Sequence, residues 1–483
     1  MTGGVSARVL KAMSVFGGVQ MLGVLCSVVR MKFVALWLGP AGVGLFGIYN
    51  GAVDMLRTLS QLGFRDSSVR DIVKNRGSRA ALGEIVTIVR RWGWILGVFG
   101  AVLMAGAAPM LSLKTFGSYD HCLSFMLLAV VLFLGSLSSA EQAVMQGMDR
   151  LKQLATATMW GTVAGLVVSI PMFYFLRLDS IIPSIMAYAA ATCIAIYVYR
   201  VRGVRTRKPV EMNETLRKGR QFIVLGIYMT SADFISQLVS YIFISWLNVS
   251  AGDHAVGFYQ AGYTMVNRYI GVVLSAMVME YYPRLTSVIS SARRVRVYVA
   301  HEALLLLLVI VPAVTLFISL APWIVGLLYA GEFEVVVPFV SIAMAGVVFR
   351  AISYCMAYVI LAKGDGVTYL MTESLSAALA LALNICSYRL WGISGLGVSY
   401  TLWYFGYLVI ISTVFFRRYR LRVAPRTVLL SLAAIAITSV SAFIALRFTP
   451  LAVLPIAIAV SAFSLRALTR LLARRKRGKG KPA

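Results

Sequence analysis

The stretch Ala35-Leu-Trp-Leu-Gly-Pro-Ala-Gly-Val-Gly-Leu-Phe-Gly-Ile-Tyr-Asn-Gly51 decides how this chain is read. It joins two apolar runs, residues 13–36 and 43–63, through a Gly39-Pro40 turn. Pro40 pre-sets the backbone for the start of a helix, and Gly42, Gly44 and Gly47 allow close helix contact. The stretch returns later in the chain. Ala35-Leu-Trp-Leu-Gly39 resembles Ile244-Ser-Trp-Leu-Asn248, and residues 42–51 resemble Ala255-Val-Gly-Phe-Tyr-Gln-Ala-Gly-Tyr-Thr264. The offset grows from 209 to 213 residues across the turn, so four extra loop residues are expected in the second copy. A further match pairs Gly147-Met-Asp-Arg150 with Gly364-Asp-Gly366. Six spans per copy, an even number, make the repeat parallel with its axis along the membrane normal. Two such halves facing one another enclose a central cavity suited to alternating access.

Working outward, apolar segments able to cross about 30 Å of hydrocarbon recur down the chain. They cover 13–36, 43–63, 92–112, 122–144, 154–176, 181–200, 222–247, 256–279, 303–328, 337–361, 367–388, 394–416, 427–446 and 451–468. Of 483 residues, 60% are hydrophobic and 13% charged, and no soluble domain of useful size fits between the spans. The expected fold is an all-α polytopic membrane protein of about fourteen transmembrane helices. Residues 1–200 and 221–422 form two pseudo-twofold-related six-helix bundles, joined by a basic cytoplasmic loop, 201–220. Residues 423–468 add two helices, and 469–483 form a basic cytoplasmic tail.

The net charge of +28 would point to nucleic acid in a soluble protein. Here the cations collect on one side. Arg65, Arg70, Lys74, Arg76 and Arg79 follow the second span, Arg202 to Arg220 the sixth, and Arg470 to Lys481 the last. The opposite side carries Lys114, Arg177, Arg389 and Arg447. This asymmetry places both termini in the cytoplasm and makes anionic lipid headgroups, not nucleic acid, the partners of the charge. Trp37 and Trp246 close the first and seventh spans at the outer interface. The first run, interrupted by Arg30 and Lys32, reads as a retained span. The five cysteines form no CxxC pair and the three histidines lack metal-ligand spacing, so no metal or cofactor is expected.

The segment Leu38-Gly-Pro-Ala-Gly-Val-Gly-Leu-Phe-Gly47, with Leu361-Ala-Lys-Gly-Asp365 and Leu390-Trp-Gly-Ile-Ser-Gly-Leu-Gly397, resembles the polysaccharide flippases. These are Wzx-type O-antigen and lipid III flippases of the multidrug/oligosaccharidyl-lipid/polysaccharide exporter superfamily. The resemblance covers roughly the first 420 residues. It implies a monomer of the bacterial inner membrane that moves a polyprenyl-diphosphate-linked oligosaccharide from the cytoplasmic to the outer leaflet, alongside glycan polymerase and assembly machinery. Catalysis is not implied.

Eight ionisable residues fall inside spans: Arg30, Lys32, Asp54, Arg57, Asp233, Arg268, Arg350 and Glu373. Each costs about 2.5–3.5 kcal/mol near the bilayer centre, so such residues face water or a partner. The surplus is cationic. Arginine suits a diphosphate because its planar fork makes bidentate, charge-assisted bonds and stays protonated. Arg57, Arg268, Arg350, Arg30 and Lys32, with Asn267, are the substrate-binding candidates, and the repeat turns Arg57 and Arg268 toward one cavity. Asp54, Asp233 and Glu373 are the candidates for a coupling ion. Asp54 and Arg57 stand three apart and can instead pair with one another. Asn50, Gln61, Gln237, Tyr241, Tyr259, Tyr263 and Asn384 could read a sugar or join helices. A cation-coupled drug exporter of the same superfamily would be expected to carry an acid in its first helix, and span 13–36 has none. A membrane polymerase or glycosyltransferase would need large charged outer loops, which are absent here.

Overall fold

The computed structural model describes residues 3–61, 63–203 and 211–479. They form α1 (Gly3–Gln61), α2 (Phe64–Lys74), α3 (Arg79–Phe116), α4 (Cys122–Leu127), α5 (Ala129–Gly147), α6 (Leu151–Leu176), α7 (Ile181–Val198), α8 (Met212–Ser287), α9 (Ala292–Leu328), α10 (Val336–Ala362), α11 (Gly366–Thr413), α12 (Pro425–Arg447) and α13 (Leu454–Lys479). No strand occurs among the described residues. Ten segments among them are long and apolar enough to cross a membrane, and the protein is a multi-pass membrane protein.

Four of the ten are long segments with an internal break: Met21–Gln61, Leu151–Val198, Thr230–Asn267 and Gly366–Arg418, of 41, 48, 38 and 53 residues. At about 1.5 Å per residue each is close to twice the bilayer core or more. Each is broken at one residue of positive φ: Gly39 (67°), Arg177 (51°), Gly252 (80°) and Gly392 (58°). A count of fourteen crossings rests on taking each arm separately. With ψ near −165°, 175° and −143°, the three glycines occupy a region that side chains with a Cβ avoid.

The rare backbone conformations recur in step. Gly39 and Gly252 are 213 apart, Asp149 and Gly364 are 215 apart, Arg177 and Gly392 are 215 apart, and Gly203 and Arg420 are 217 apart. One detail differs from the sequence reading. The second break falls at Gly252, not at Asn248, so the four extra residues lengthen the helical arm beyond Trp246 by about one turn instead of enlarging a loop. Continuing the helix keeps its backbone hydrogen bonds satisfied within the segment.

Two compact units form, residues 1–257 and 258–483. In the first, α1 packs on α3 and α6, α3 on α5, and α6 on α7. Its apolar core gathers Phe64, Ile72, Trp92, Val144, Leu154 and Ile196. Residues 64–91, which the hydropathy reading leaves between the second and third spans, contain α2 and the start of α3. Phe64, Ser67, Ser68 and Ile72 bury one face of α2, and Ser78 caps α3 by accepting from the Ala81 amide at 3.5 Å. Hydropathy alone misses such a short amphipathic helix. The turn 39–42 packs tightly on the arm around Gly252: a Cβ at Gly44 would lie 2.0 Å from the Asp253 carbonyl oxygen, and one at Gly257 2.0 Å from that of Pro40. These two contacts exchange repeat-equivalent partners.

In the second unit α10 packs on α9 and α11, while α12 and α13 pack on α9. The α10–α11 turn is fastened by Asp365, which accepts from the Thr368 amide (3.2 Å), Arg418 Nε (2.9 Å) and the Tyr419 hydroxyl (2.9 Å). Burial pushes its carboxyl up, but these donors outweigh that and hold it below the usual value.

Candidate functional site

Within residues 258–483, α10 carries Arg350 into a polar knot inside an apolar helix. Val347, Val348 and Ala351 around it are buried, so the guanidinium must find its partners locally. Arg350 Nη1 donates to Asn267 Oδ1 at 2.7 Å and to the Tyr400 hydroxyl at 3.2 Å. Its Cζ lies 5.4 Å from the centre of the Tyr404 ring. Asn267 in turn donates from Nδ2 to the Tyr263 carbonyl at 3.1 Å. Tyr400, Trp403, Tyr404 and Tyr407 form a run of ring contacts along α11. At its far end the Tyr407 hydroxyl donates to Glu373 at 2.6 Å. No carboxylate lies within ion-pair distance of Arg350 among the described residues, so its charge is held by neutral groups and is not cancelled.

Within residues 1–257, Arg57 is handled differently. Its Nη1 is 3.9 Å from Asp54, and the side chains are 44% and 54% exposed, so the pair is loose. Beneath it is Gly135 of α5: a Cβ there would sit 2.9 Å from Arg57 Nη2. Taking the 215-residue offset that relates Asp149 to Gly364, Gly135 holds the place of Arg350. Taking the 213-residue offset of Gly39 and Gly252, Asp54 holds the place of Asn267. Each unit therefore puts one guanidinium at the same place in the repeat, supplied from opposite helices.

Arg30 is anchored instead of loose. Its guanidinium is sandwiched between Phe46 (4.7 Å) and Tyr188 (4.6 Å), and Nη2 donates to the Ser184 carbonyl at 3.1 Å. Its Nε is buried without a hydrogen-bond partner among the described residues. Lys32 is half-buried on the same arm, and Asp233 is exposed on α8. The side chain of Arg268, like residues 204–210 with Arg205, Arg207 and Lys208, lies outside the described residues.

Several of the polar neighbours join helices. The Tyr241 hydroxyl is 2.9 Å from Thr115 Oγ1 and Gln61 accepts from Ser139 at 3.3 Å, whereas Asn50 donates at 2.7 Å to the Phe46 carbonyl one turn back on its own helix. Ser399 donates to Asn384. Gly135, Tyr400 and Tyr404 are absent from the sequence reading. The tyrosines had a signal, since aromatic residues at 400, 403, 404 and 407 share one helix face, whereas Gly135 had none.

No curated protein matches this chain. Among solved structures it resembles an inward-facing MATE family multidrug resistance transporter of the MOP superfamily, at 14% identity and TM-score 0.67 over 86% of this chain and 96% of that one. It also resembles the lipid II flippase MurJ in an inward closed conformation, at 12% identity and TM-score 0.66 over 95% of this chain and 99% of that one. A third resemblance is to a MOP superfamily transporter from Pyrococcus furiosus, at 13% identity and TM-score 0.59 over 89% and 96% of the two chains. These likenesses give the fold. Residues 9–289 match the family described as "Polysaccharide biosynthesis protein". That match covers more than half of the chain, which therefore belongs to the polysaccharide biosynthesis protein family and has the transporter fold of the MOP superfamily.

Proposed function

We propose that this protein moves a polyprenyl-diphosphate-linked oligosaccharide from the cytoplasmic to the outer leaflet of the bacterial inner membrane, by alternating access, for surface polysaccharide synthesis. The observation that carries this reading is the pair of repeat-equivalent guanidiniums, Arg57 and Arg350, the first loosely paired and the second held by neutral groups. A diphosphate entering the membrane loses much of its water, and fixed guanidiniums replace that hydration. Arg268, Arg30, Lys32 and Asn267 complete the cationic set, with Arg30 positioned by its two rings. Asp54, Asp233 and Glu373 remain the groups through which a proton or sodium ion would couple.

Drug export is the competing reading, because a MATE transporter shares the fold. A cationic drug would meet Arg30 and Lys32 in the first span, where a cation exporter needs an acid. Mass spectrometry of lipids in cells lacking the protein separates the two. A diphosphate-linked oligosaccharide should accumulate in the inner leaflet and disappear on complementation. Arg57→Ala should restore it only about ten- to a hundredfold less well at normal membrane abundance, since one hydrogen bond to a charged group is worth roughly 1.5–3 kcal/mol. Unchanged lipids in the deletion strain would reject the flippase reading.

A further inference from the structure

Where α3, α5 and α7 converge, away from the intramembrane arginines, a cleft of about 100 Å³ opens between Arg90, Trp94, Glu141, Cys193, Tyr197 and Arg200. Its two arginines differ. Arg90 is consumed: Nε and Nη2 grip the buried Glu141 at 2.7 and 3.0 Å, and Nη2 also donates to the Val201 carbonyl at 2.9 Å. Arg200 stacks on the Tyr197 ring at 3.8 Å, and its guanidinium has no hydrogen-bond or carboxylate partner among the described residues. The cleft is therefore net cationic, with one planar fork to spare. Leu137 and Ile196 supply an apolar wall, while Trp94 and Tyr197, 57% and 53% exposed, stand at the rim. The cleft lies near the ends of α5 (Gly147) and α7 (Val198), on the side where the basic loops collect.

We propose that this cleft binds the phosphate of an anionic phospholipid of the cytoplasmic leaflet. The inference rests on the orientation given by the basic residues and is independent of which substrate the transporter carries. The cleft, of about 100 Å³ and open on one side, has room for a phosphate group. The Arg200 fork takes the phosphate oxygens bidentately, the aromatic rim sits at headgroup level, and an acyl chain descends past the half-buried Leu137. The first turn of α8 is tied down nearby: Trp92 Nε1 donates to the Thr215 carbonyl at 2.8 Å and Arg91 Nη1 to Thr215 Oγ1 at 3.1 Å. A lipid here would sit close to the start of α8.

The test is native mass spectrometry of the full-length protein released from vesicles of phosphatidylglycerol and phosphatidylcholine mixed equally. The wild type should retain phosphatidylglycerol in preference to phosphatidylcholine, and Arg200→Gln should lower that retention about tenfold, with Arg200→Lys between the two. Arg200→Gln removes a side chain that touches one ring, so its melting temperature in lipid-free detergent should match the wild type. Equal retention of phosphatidylglycerol by wild type and Arg200→Gln would overturn the proposal. So would displacement of the lipid by millimolar inorganic phosphate, which would make the cleft a site for a free anion.

Discussion

The two units hold a guanidinium at equivalent places and treat it in opposite ways. Arg350 makes two hydrogen bonds and an aromatic contact and cannot leave without disturbing α8, α10 and α11. Arg57 has a loose carboxylate neighbour at 3.9 Å and rests over a glycine, so it can change partners at little cost. A fixed cation sets the field of the site whatever the conformation. If the site takes a diphosphate, as proposed, the loosely paired guanidinium can exchange its carboxylate for a phosphate and so distinguish the loaded from the empty protein. The same repeat thus yields a rigid half-site and a responsive one, and the asymmetry lies in which helix supplies the arginine.

The largest expected effect is at the rigid half-site. Arg350→Ala removes hydrogen bonds worth roughly 1.5–3 kcal/mol each and leaves Asn267 Oδ1 and the Tyr400 hydroxyl with only their long 3.5 Å bond to one another. Membrane abundance, measured by immunoblot, should fall at least about tenfold, and transport should fall with it; this is a loss of stability as well as of charge. Arg350→Lys should recover part of both. Normal abundance of Arg350→Ala with transport abolished would put Arg350 in the same class as Arg57 and dissolve the contrast.

The next effect belongs to the mobile half-site and leaves abundance alone. Gly135→Ala places a methyl group 2.9 Å from Arg57 Nη2, but that atom is the far end of a flexible chain and can swing away. The fold should survive and the guanidinium should be displaced. Transport should drop about tenfold, in line with loss of one charge-assisted bond. The same substitution in an Arg57→Ala background should add nothing further, because the two act through one group. Additive losses would show that Gly135 matters for helix packing and not for Arg57.

The sequence made the membrane fold, the Gly39-Pro40 turn and the repeat legible because these depend on composition and on local backbone chemistry. Pro40, Gly42 and Gly44 announce a tight turn wherever they stand. The charged residues inside spans were legible too, since an Arg or Asp in an apolar run is conspicuous. Their partners were not. Nothing local to Gly135 says that Arg57 lies above it, and Phe46 and Tyr188 close on Arg30 from positions 142 residues apart. Such contacts come from helix crossing geometry, which a linear pattern does not encode. The helix α2 was missed for a related reason: its four buried residues are apolar only in part, and the face they share exists because α5 packs against it.

The smallest effect tests the comparison at the two turns where Arg177 stands in the place of Gly392. Arg177 adopts φ 51° and ψ −132°, a conformation that costs a residue with a Cβ about 1–3 kcal/mol. It is kept there by a bond from its Nη1 to the Trp37 carbonyl at 3.2 Å, assisted by the Tyr174 ring at 6.0 Å. An exposed bond of this kind is worth about 0.5–1.5 kcal/mol. Arg177→Gly exchanges one for the other, so the melting temperature in detergent should stay level or rise by a few degrees. Arg177→Ala keeps the backbone cost and loses the bond, so it should melt below both the wild type and Arg177→Gly. The reciprocal change, Gly392→Ala, has no atom within 4 Å of the new methyl group, so any loss it shows is backbone strain alone, expected at about 1–3 kcal/mol. If Gly392→Ala melts with the wild type while Arg177→Ala does not, the Trp37 bond and not the backbone sets the stability of these turns. The two halves would then differ in what holds these turns together.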